Sequence, residues 1–150
     1  TTEDGYYLPE STGTISGHVY EDTNGNGVQD LGEPNLEGVS VIITDNNGDV
    51  TTVVTDVDGN WMSTQLPEGD ATSDIDEATL PTCSNGVDYS MTEGTDPTTT
   101  TVIAGQNVFS DNDGYEPPAS IVLEKIDILP IEDTNANGSW KSNIFTTRWI

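Results

Sequence analysis

Apolar and polar residues alternate along several short segments of this chain. Residues 14–20 (TISGHVY) alternate, and residues 39–44 and 50–55 are rich in β-branched side chains. Such patterns predict strands that are buried on one face. The residues between the last two segments, 45–49 (DNNGD), offer two positions suited to a left-handed backbone, so we predict a hairpin.

The alternation of strands and turns continues to about residue 117. A turn at residues 56–60 leads into a predicted strand at 61–66, which residues 67–69 (PEG) interrupt. No segment has a convincing helical period. Short strands separated by turns rich in Asn, Asp and Gly predict an all-β sandwich. Weaker strand candidates are residues 71–75, 89–92, 99–104 and 107–110.

One connection between predicted strands has the composition of a calcium-binding loop. Residues 22–33 (DTNGNGVQDLGE) fit D-x-[DN]-x-[DN]-G-x5-E at every specified position. In such a loop side-chain oxygens, one backbone carbonyl and a bidentate glutamate surround the ion. The alternative, that NGNG is only a hairpin turn, leaves the three acidic residues of the loop unexplained. The predicted calcium ligands are Asp22, Asn24, Asn26, the carbonyl of Val28, Asp30 acting through a water, and Glu33.

The segment after this loop predicts a strand and not a helix. Residues 34–38 (PNLEG) are followed directly by the β-branched residues 39–44. The calcium site would therefore lie on a strand-to-strand connection. Switching of the calmodulin type, which needs a pair of helices, is not expected.

Two further pairs of carboxylates could hold additional calcium. Asp56 and Asp58 flank one turn, and Asp111 and Asp113 flank another. The alternative is that these aspartates form Asx turns with solvated carboxylates. Residues 133–144 begin like the calcium loop but end in isoleucine, so we expect no complete cage there.

The charge of the chain limits its partners. It contains 27 acidic and 3 basic residues, a formal net charge of -24. Nucleic acid and anionic membranes would be repelled, whereas divalent cations are natural partners. The sequence contains no run of 18 apolar residues, so we predict no membrane span. A start at Thr1 without a signal peptide is consistent with a processed, secreted protein, so we expect an extracellular or cell-surface location and no membrane insertion.

Neither the cysteine nor the histidine of the chain indicates catalysis. Cys83 is the single cysteine, so it is either a buried free thiol or a crosslink to another molecule. His18 stands within a predicted strand, and no nucleophile motif surrounds either residue. We therefore expect no enzyme, and we expect calcium to take the role that disulfides have in other secreted domains.

An ordered set of motifs resembles one known family. Residues 13–27 (GTISGHVYEDTNGNG), 32–39 (GEPNLEGV) and 55–61 (TDVDGNW) look like the calcium-binding B repeats of serine-aspartate-repeat surface adhesins, the SdrD B-like domain. Residues 111–115 (DNDGY) resemble the last strand of that family. The resemblance covers about residues 13–117. It implies a prealbumin-like, Cna-B-like or Ig-like sandwich that acts as a rigid, calcium-stiffened spacer, with the same loop ligands.

A property of related Cna-B modules is not expected in this chain. Such modules often form a Lys–Asn isopeptide bond. The first predicted strand has no lysine, and the only lysines are Lys125 and Lys141. An internal isopeptide bond is therefore not predicted.

The two ends of the chain extend beyond the predicted sandwich at 13–117. Residues 1–12 are a predicted N-terminal extension, and their sequence echoes residues 111–117, so they could add a strand to the open edge of another subunit. Residues 118–150 are a predicted C-terminal β-hairpin extension. Either these ends pack back on the same sandwich, or identical subunits exchange them in a head-to-tail filament.

These features favour an extracellular, calcium-stabilised structural subunit of a cell-surface fibre or adhesin stalk. Its expected partner is another copy of the chain or a tandem neighbouring domain. The alternative is an adhesion module for a glycan or protein receptor, with Trp61, Trp140 or Trp149 as an exposed aromatic platform. Packing of these tryptophans in a core or an interface is the competing interpretation.

Overall fold

The structure is a computed structural model that describes residues 11–81 and 88–119. The chain divides into two compact units, Thr1–Pro118 and Ala119–Ile150, and the strands described here belong to the first. Both predicted extensions, apart from their innermost residues, and Cys83 lie outside the described residues. Within the described residues the strands are Thr12–Glu21 (β1), Ser40–Thr44 (β2), Val50–Val54 (β3), Asn60–Met62 (β4), Leu66–Pro67 (β5), Gly69–Ile75 (β6), Ser90–Glu93 (β7), Thr98–Val102 (β8) and Asn107–Glu116 (β9), with a 3-10 turn at Glu77–Thr79.

Two sheets form a sandwich, which confirms the predicted all-β class. The first sheet has the order β4-β1-β9-β7, with β5 paired to the start of β1, and the second has the order β3-β2-β6-β8. Neighbouring strands are antiparallel except for β1 and β9. The predicted hairpin is β2–β3, paired from Ser40 opposite Val54 to Thr44 opposite Val50.

Alternate residues of the strands build the core between the sheets. In β2, Val41 and Ile43 are buried and their neighbours are half-buried. Ile15 and Val19 of β1 belong to the same cluster of buried side chains. Each such side chain contributes about 1.5–3 kcal/mol relative to leaving it exposed. The other members of the cluster are Leu36, Val39, Trp61, Leu66, Ala71, Ile75, Leu80, Val102 and Tyr115.

The two longest strands, β1 and β9, are parallel neighbours. Their pairing extends from Thr14 opposite Asn107 to Glu21 opposite Tyr115. Parallel strands begin at the same end of a sheet and finish at the opposite end. The chain therefore enters β1 at one end of the sandwich and leaves β9 at the opposite end.

Strand β9 contains a bulge near its middle. Ser16 pairs with Phe109, but His18 pairs with Asn112, so two steps along β1 correspond to three along β9. An extra residue of this kind changes which side chains face the core beyond it. After the bulge, Asp113 and Tyr115 are buried.

The prediction of a single strand at residues 61–66 was wrong, because the structure divides this segment into β4 and β5. Ser63 lies in the gap. The Oγ of Ser63 accepts the backbone N–H of Ile15 at 3.0 Å. It takes the position of the backbone carbonyl that would accept this N–H in a continuous strand ladder. The candidates at 107–110 and 111–115 are joined in one strand, β9.

Gly59, in the turn before β4, occupies a position that excludes a side chain. Its φ is 73°, and a Cβ there would lie 2.4 Å from the carbonyl oxygen of Val19. We expect Gly59→Ala to lower the free energy of unfolding by about 2–5 kcal/mol, because a left-handed backbone and a steric clash both oppose the alanine. Urea unfolding followed by circular dichroism measures this loss.

Gly48, in the β2–β3 turn, provides the matched control. Its φ is 87°, but no atom lies within 4 Å of a Cβ built there. Gly48→Ala should carry only the backbone cost, about 1–2 kcal/mol. Equal losses in the two variants would contradict the steric part of the argument.

Candidate metal centre

Asp22 lies at the centre of the predicted calcium loop. It directly follows β1 and is 0% exposed. Its Oδ1 accepts the backbone N–H groups of Gly25 (2.8 Å) and Asn26 (3.2 Å), and its Oδ2 accepts that of Gly27 (2.7 Å). The loop is therefore coiled around a buried carboxylate.

The surroundings of Asp22 keep it ionised. Burial raises its pKa, but the nearby hydroxyl of Thr92 and the N–H groups of Gly27, Asn26 and Gly25 outweigh burial and hold the pKa below its ordinary value. Hydrogen bonds donated to the charged form of a carboxylate have this effect. A negative charge is thus fixed at the first position of the loop.

The other predicted side-chain ligands are joined to each other. Asp30 Oδ2 accepts the amide groups of Asn24 (2.9 Å) and Asn26 (2.8 Å). Glu33 accepts the backbone N–H of Asp30 at 2.9 Å and that of Asn24 at 3.3 Å. The structure therefore brings the carboxylates and amides of the loop together within one hydrogen-bonded segment. Val28 donates its N–H to Asn26 Oδ1 at 2.9 Å.

The donor types of this loop fit calcium, although their arrangement is not a finished cage. Calcium prefers carboxylate, amide and carbonyl oxygens. Across residues 11–81 and 88–119 no three Asp, Glu, His or Cys side chains are grouped as a cation site. The amide nitrogens of Asn24 and Asn26 point at Asp30, so both amides would have to turn by about 180° to offer oxygen.

The outer face of β1 holds the loop in place. His18 stacks on Tyr20, with ring centroids 6.0 Å apart, and its ring nitrogens lie 3.0 Å from Asn60 Oδ1 and Gln29 Oε1. Tyr20 donates to Glu93 Oε2 at 2.6 Å. The histidine is thus engaged in packing and amide contacts that link the loop to the sandwich.

The first of the two further aspartate pairs, Asp56 and Asp58 at the β3–β4 turn, forms an Asx turn. Asp56 Oδ1 accepts the backbone N–H groups of Asp58 (2.9 Å) and Asn60 (3.0 Å). Both aspartates are exposed. This geometry supports the interpretation of a solvated turn at this position.

The second pair, Asp111 and Asp113 of β9, consists of two aspartates with different surroundings. Asp111 Oδ2 lies within hydrogen-bond distance of the N–H of Thr95 (3.2 Å) and the hydroxyl of Thr98 (3.4 Å). Asp113 is 3% exposed, and its Oδ1 has no hydrogen-bond partner. Burial, together with the charges of Asp111, Asp96 and Glu93, raises the pKa of Asp113 to about 7.

Sequence reasoning did not single out Asp96. This residue lies in the turn between β7 and β8, where no calcium motif marks it. Burial raises its pKa to about 7, assisted by the carboxylates of Glu77 and Asp74 and opposed by a hydrogen bond from the N–H of Ile75. Asp96 acts on Asp113 only because the fold places the turn against β9, which no local signal reveals.

Trp61 is part of the core and not an exposed platform. It is 3% exposed, and its ring covers Gly17 so closely that a Cβ there would lie 2.6 Å away. A groove of about 290 Å³ beside it is lined by Ser16, Gly17, Asp56, Asn60, Trp61, Met62, Asn107 and Phe109. Trp140 and Trp149 lie outside the described residues.

Fold and loop together define a class of protein: a two-sheet β-sandwich domain with an oxygen-rich loop between its first two strands. The sequence model of the SdrD B-like domain family matches residues 13–115. The chain belongs to this family, which confirms the predicted resemblance.

Named relatives of this chain are much longer proteins. Serine-aspartate repeat-containing protein D of Staphylococcus aureus (strain Newman) is 35% identical over 111 residues, which cover 73% of this chain and 7% of that protein. Serine-aspartate repeat-containing protein F of Staphylococcus epidermidis is 31% identical over 147 residues, which cover 95% of this chain and 8% of that protein. The chain thus spans less than a tenth of the length of these relatives.

A solved structure with a similar fold is that of GBS52, the minor pilin of Streptococcus agalactiae. The TM-score is 0.49 at 18% identity, covering 77% of this chain and 49% of that chain.

Over the part of our chain that the structure describes, no helix has the length and hydropathy needed to cross a bilayer.

Proposed function

We propose that this chain is a structural domain of an extracellular stalk or fibre, stabilised by calcium bound in the loop of residues 22–33. The observation that carries this proposal is the position of the loop. It begins where β1 ends, and the N–H of Asp22 donates to the carbonyl of Tyr115 in β9 at 3.0 Å. Calcium in this loop would stiffen the segment that this hydrogen bond anchors to the end of β9.

The parallel pairing of β1 and β9 suits a domain under tension. Force applied to the start of β1 and the end of β9 pulls these neighbours in opposite directions along their common axis. The backbone hydrogen bonds of this ladder extend from the Thr14–Asn107 pair to the Glu21–Tyr115 pair. They are then loaded in shear and must break together. A ligand that rigidifies the loop at the end of β1, where the N–H of Asp22 donates to the carbonyl of Tyr115, would raise the force needed to separate the two strands.

The charge distribution gives calcium a second role. All three basic residues, Lys125, Lys141 and Arg148, come after residue 119, so the described residues contain no lysine or arginine. Mutual repulsion of the carboxylates destabilises the folded domain. A divalent ion held by Asp22, Asp30 and Glu33 would offset part of that repulsion.

The ligand roles follow from the donors that the loop offers. Asp22, Asn24 and Asn26 would contribute one side-chain oxygen each, and Val28 its carbonyl. Asp30 would bind through a water and Glu33 with two oxygens. Membership of the SdrD B-like family supports a location on the cell surface, because the B repeats of serine-aspartate-repeat surface adhesins are domains of this family.

We also propose that copies of the chain associate by strand addition. Both edges of the second sheet, β3 and β8, have one neighbour each. Residues 1–10, whose sequence echoes the end of β9, are the proposed donor. An extended segment can add to such an edge through main-chain hydrogen bonds.

Removal of calcium is the first test of this function. A site with calcium at tenfold its Kd adds about 1.4 kcal/mol to the stability of the folded state, or about 5–10 °C in Tm for a domain of this size. We expect excess chelator to remove this increment. The unfolding force of the domain, pulled through its two ends in single-molecule experiments, should fall in parallel.

The control for chelation must separate binding from general screening. Sodium chloride at matched ionic strength screens the net charge of -24 without occupying a calcium site. If it restores Tm and unfolding force as fully as calcium does, the proposal fails. Electron microscopy of the same samples, with and without residues 1–10, tests the strand addition: fibres that persist without these residues would contradict it.

A further inference from the structure

Strand β3 is an unprotected edge of the second sheet. In the part of the chain that the structure describes, it pairs with β2 and with no other strand, and this pairing contains no bulge. Its residues, VTTVV, include no charged side chain and no proline, and all of them are β-branched. Charges, prolines and bulges are the usual means by which proteins keep an edge strand from pairing with another chain. Strand β3 has none of these protections.

Alternate residues of β3 direct their backbone groups away from β2. The N–H of Thr55, just after the strand, donates to the carbonyl of Val39 on the β2 side at 2.9 Å. In an antiparallel pair such bonds recur at every second residue. Every second residue counted back from Thr55 therefore bonds to β2. The residues between them present their N–H and C=O groups at the free edge: Val50, Thr52 and Val54.

The side chains of these same residues form an exposed, uncharged surface. Val50 is 62% exposed and Val54 is 57% exposed, with exposed Thr52 between them. Half-buried Ile42 of β2 lies directly opposite Thr52 and extends this surface. Neither β2 nor β3 contains a charged residue. The free edge thus combines unpaired backbone groups with apolar side chains.

The opposite edge of this sheet, β8, is less suited to a second copy of the chain. Its neighbour β6 carries two exposed carboxylates, Asp70 and Asp74. Asp70 lies opposite Thr101 of β8 and accepts its hydroxyl at 2.7 Å. Copies with a formal net charge of -24 repel each other least where neither surface is charged. Two copies can therefore approach each other more easily at β3 than at β8.

We propose that two copies of the chain pair through their β3 strands, antiparallel and about a two-fold axis at Thr52. In this register Thr52 lies opposite Thr52 of the second copy, and Val50 lies opposite Val54 of the second copy. Each of these is a hydrogen-bonded pair, so every free N–H and C=O group of Val50, Thr52 and Val54 gains a partner. The exposed valines become cross-strand neighbours. The four-stranded sheets of the two copies become one continuous sheet.

The contact would join copies side by side. Strands of two packed sheets run within about 30° of each other, so β3 is nearly aligned with β1 and β9. An edge contact along β3 therefore lies on the flank of the domain. The same surface is used on both copies, so the contact closes as a pair and does not propagate. It is distinct from the strand addition by residues 1–10, for which the edge of β8 remains.

The size of the contact suits fibres better than isolated domains. A five-residue edge is small compared with the roughly 1,200 Å² that a stable complex of two proteins buries. Pairing of single domains would therefore be weak. Repeated domains on two neighbouring stalks would pair more strongly, because each contact raises the effective concentration for the next.

Thiol crosslinking of the full chain tests the register of this pairing. All variants carry Cys83→Ser, so that the introduced cysteine is the single thiol. Val50→Cys mixed with Val54→Cys should form a disulfide-linked dimer, because opposite residues of such a pair lie about 5.5 Å apart at Cα, within disulfide reach. Either variant alone should not, since its two cysteines would lie more than about 10 Å apart. Equal yields from the mixture and from the single variants would overturn the inference.

A second pair of thiol variants compares the two edges. Thr52→Cys lies on the two-fold axis and should crosslink with itself. Thr99→Cys is the matched control, an exposed threonine in β8. Because an associated pair holds its thiols at a millimolar effective concentration, we expect the Thr52→Cys dimer to form at least about tenfold faster. Equal rates would indicate random collision and would count against the contact.

Sedimentation equilibrium of the full chain provides a readout without thiols. Thr52→Lys should abolish the dimer, because two like charges would face each other on the axis. The lysine also reduces the net charge, so general repulsion between the acidic chains cannot explain the loss. Thr99→Lys makes the same change of charge in β8 and should dimerise like the wild type. A wild-type chain that stays monomeric at about 1 mM has no such contact of measurable affinity.

Removal of residues 1–10 separates this inference from the proposed function. If the mixed Val50→Cys and Val54→Cys crosslink persists without these residues while fibres are lost, both contacts exist and are independent. If the crosslink forms only after their removal, β3 accepts residues 1–10 in the full chain, and the inference is overturned. If fibres form but the crosslink never does, strand addition stands and the pairing of β3 is refuted.

Discussion

Asp22→Ala is expected to abolish calcium binding by the loop and to lower Tm even in chelator. The carboxylate of Asp22 is buried and accepts three backbone N–H groups within the loop. Alanine removes the first calcium ligand and the side-chain acceptor of all three groups, although the N–H of Asn26 also donates to Asn24 Oδ1 and that of Gly25 to the carbonyl of Asp22. Since lost hydrogen bonds to a charged group are costly, we expect Tm in chelator to fall by about 5–10 °C, in addition to the lost response to calcium.

Thermal melts by circular dichroism, with and without calcium, together with calorimetric titration, measure both parts of this effect. Asp49→Asn serves as the control for net charge, since Asp49 is exposed and remote in sequence from the loop. Asp22→Asn separates part of the two contributions, because asparagine keeps one acceptor oxygen for the N–H groups of Gly25 and Asn26 but lacks the charge and the second oxygen that accepts from Gly27. An Asp22→Ala variant that still gains its full Tm increment from calcium would exclude the loop as the site.

Trp61→Ala is expected to cost about 3–5 kcal/mol of unfolding free energy, a large part of the stability of a domain of this size. Trp61 is almost fully buried and packs on Gly17. Alanine would leave a cavity that the short strand β4 cannot close, because Ser16, Gly17 and His18 of β1 fix its register. Urea unfolding measures the change, with the m value as a check on two-state behaviour.

Phe109→Ala is the matched control for Trp61→Ala. Phe109 lines the same groove but is 56% exposed. Its removal should cost less than about 1 kcal/mol, because little apolar area leaves the protein interior. Similar losses for the two variants would show that Trp61 does not anchor the core.

The loop could be predicted because its chemistry is local. All its candidate ligands fall within twelve consecutive residues, so the spacing of Asp22, Asn24, Asn26, Asp30 and Glu33 carries the prediction without knowledge of the fold. The β2–β3 hairpin was equally accessible, since its turn joins strands that are adjacent in sequence. The sandwich followed from the repetition of such patterns, and the ordered motifs identified the family.

The strand candidates in the second half were weaker for a physical reason. Residues 61–66 alternate as one strand would, but the hydroxyl of Ser63 replaces a ladder acceptor and divides the segment. Residues 107–115 form one strand because β1, almost a hundred residues earlier in the sequence, provides the partner along its whole length. Local alternation contains no information about such a partner.

The β class, the family, the acidic character and the oxygen-rich loop can be predicted without a structure, because each of these depends on neighbouring residues or on composition. The parallel pairing of β1 with β9 and the burial of Trp61 could be seen only in the folded domain. The same holds for the bulge in β9, beyond which Asp113 and Tyr115 are buried. These features arise from pairing between residues far apart in the chain, and a shift of one residue in register exchanges the buried and exposed faces of a strand.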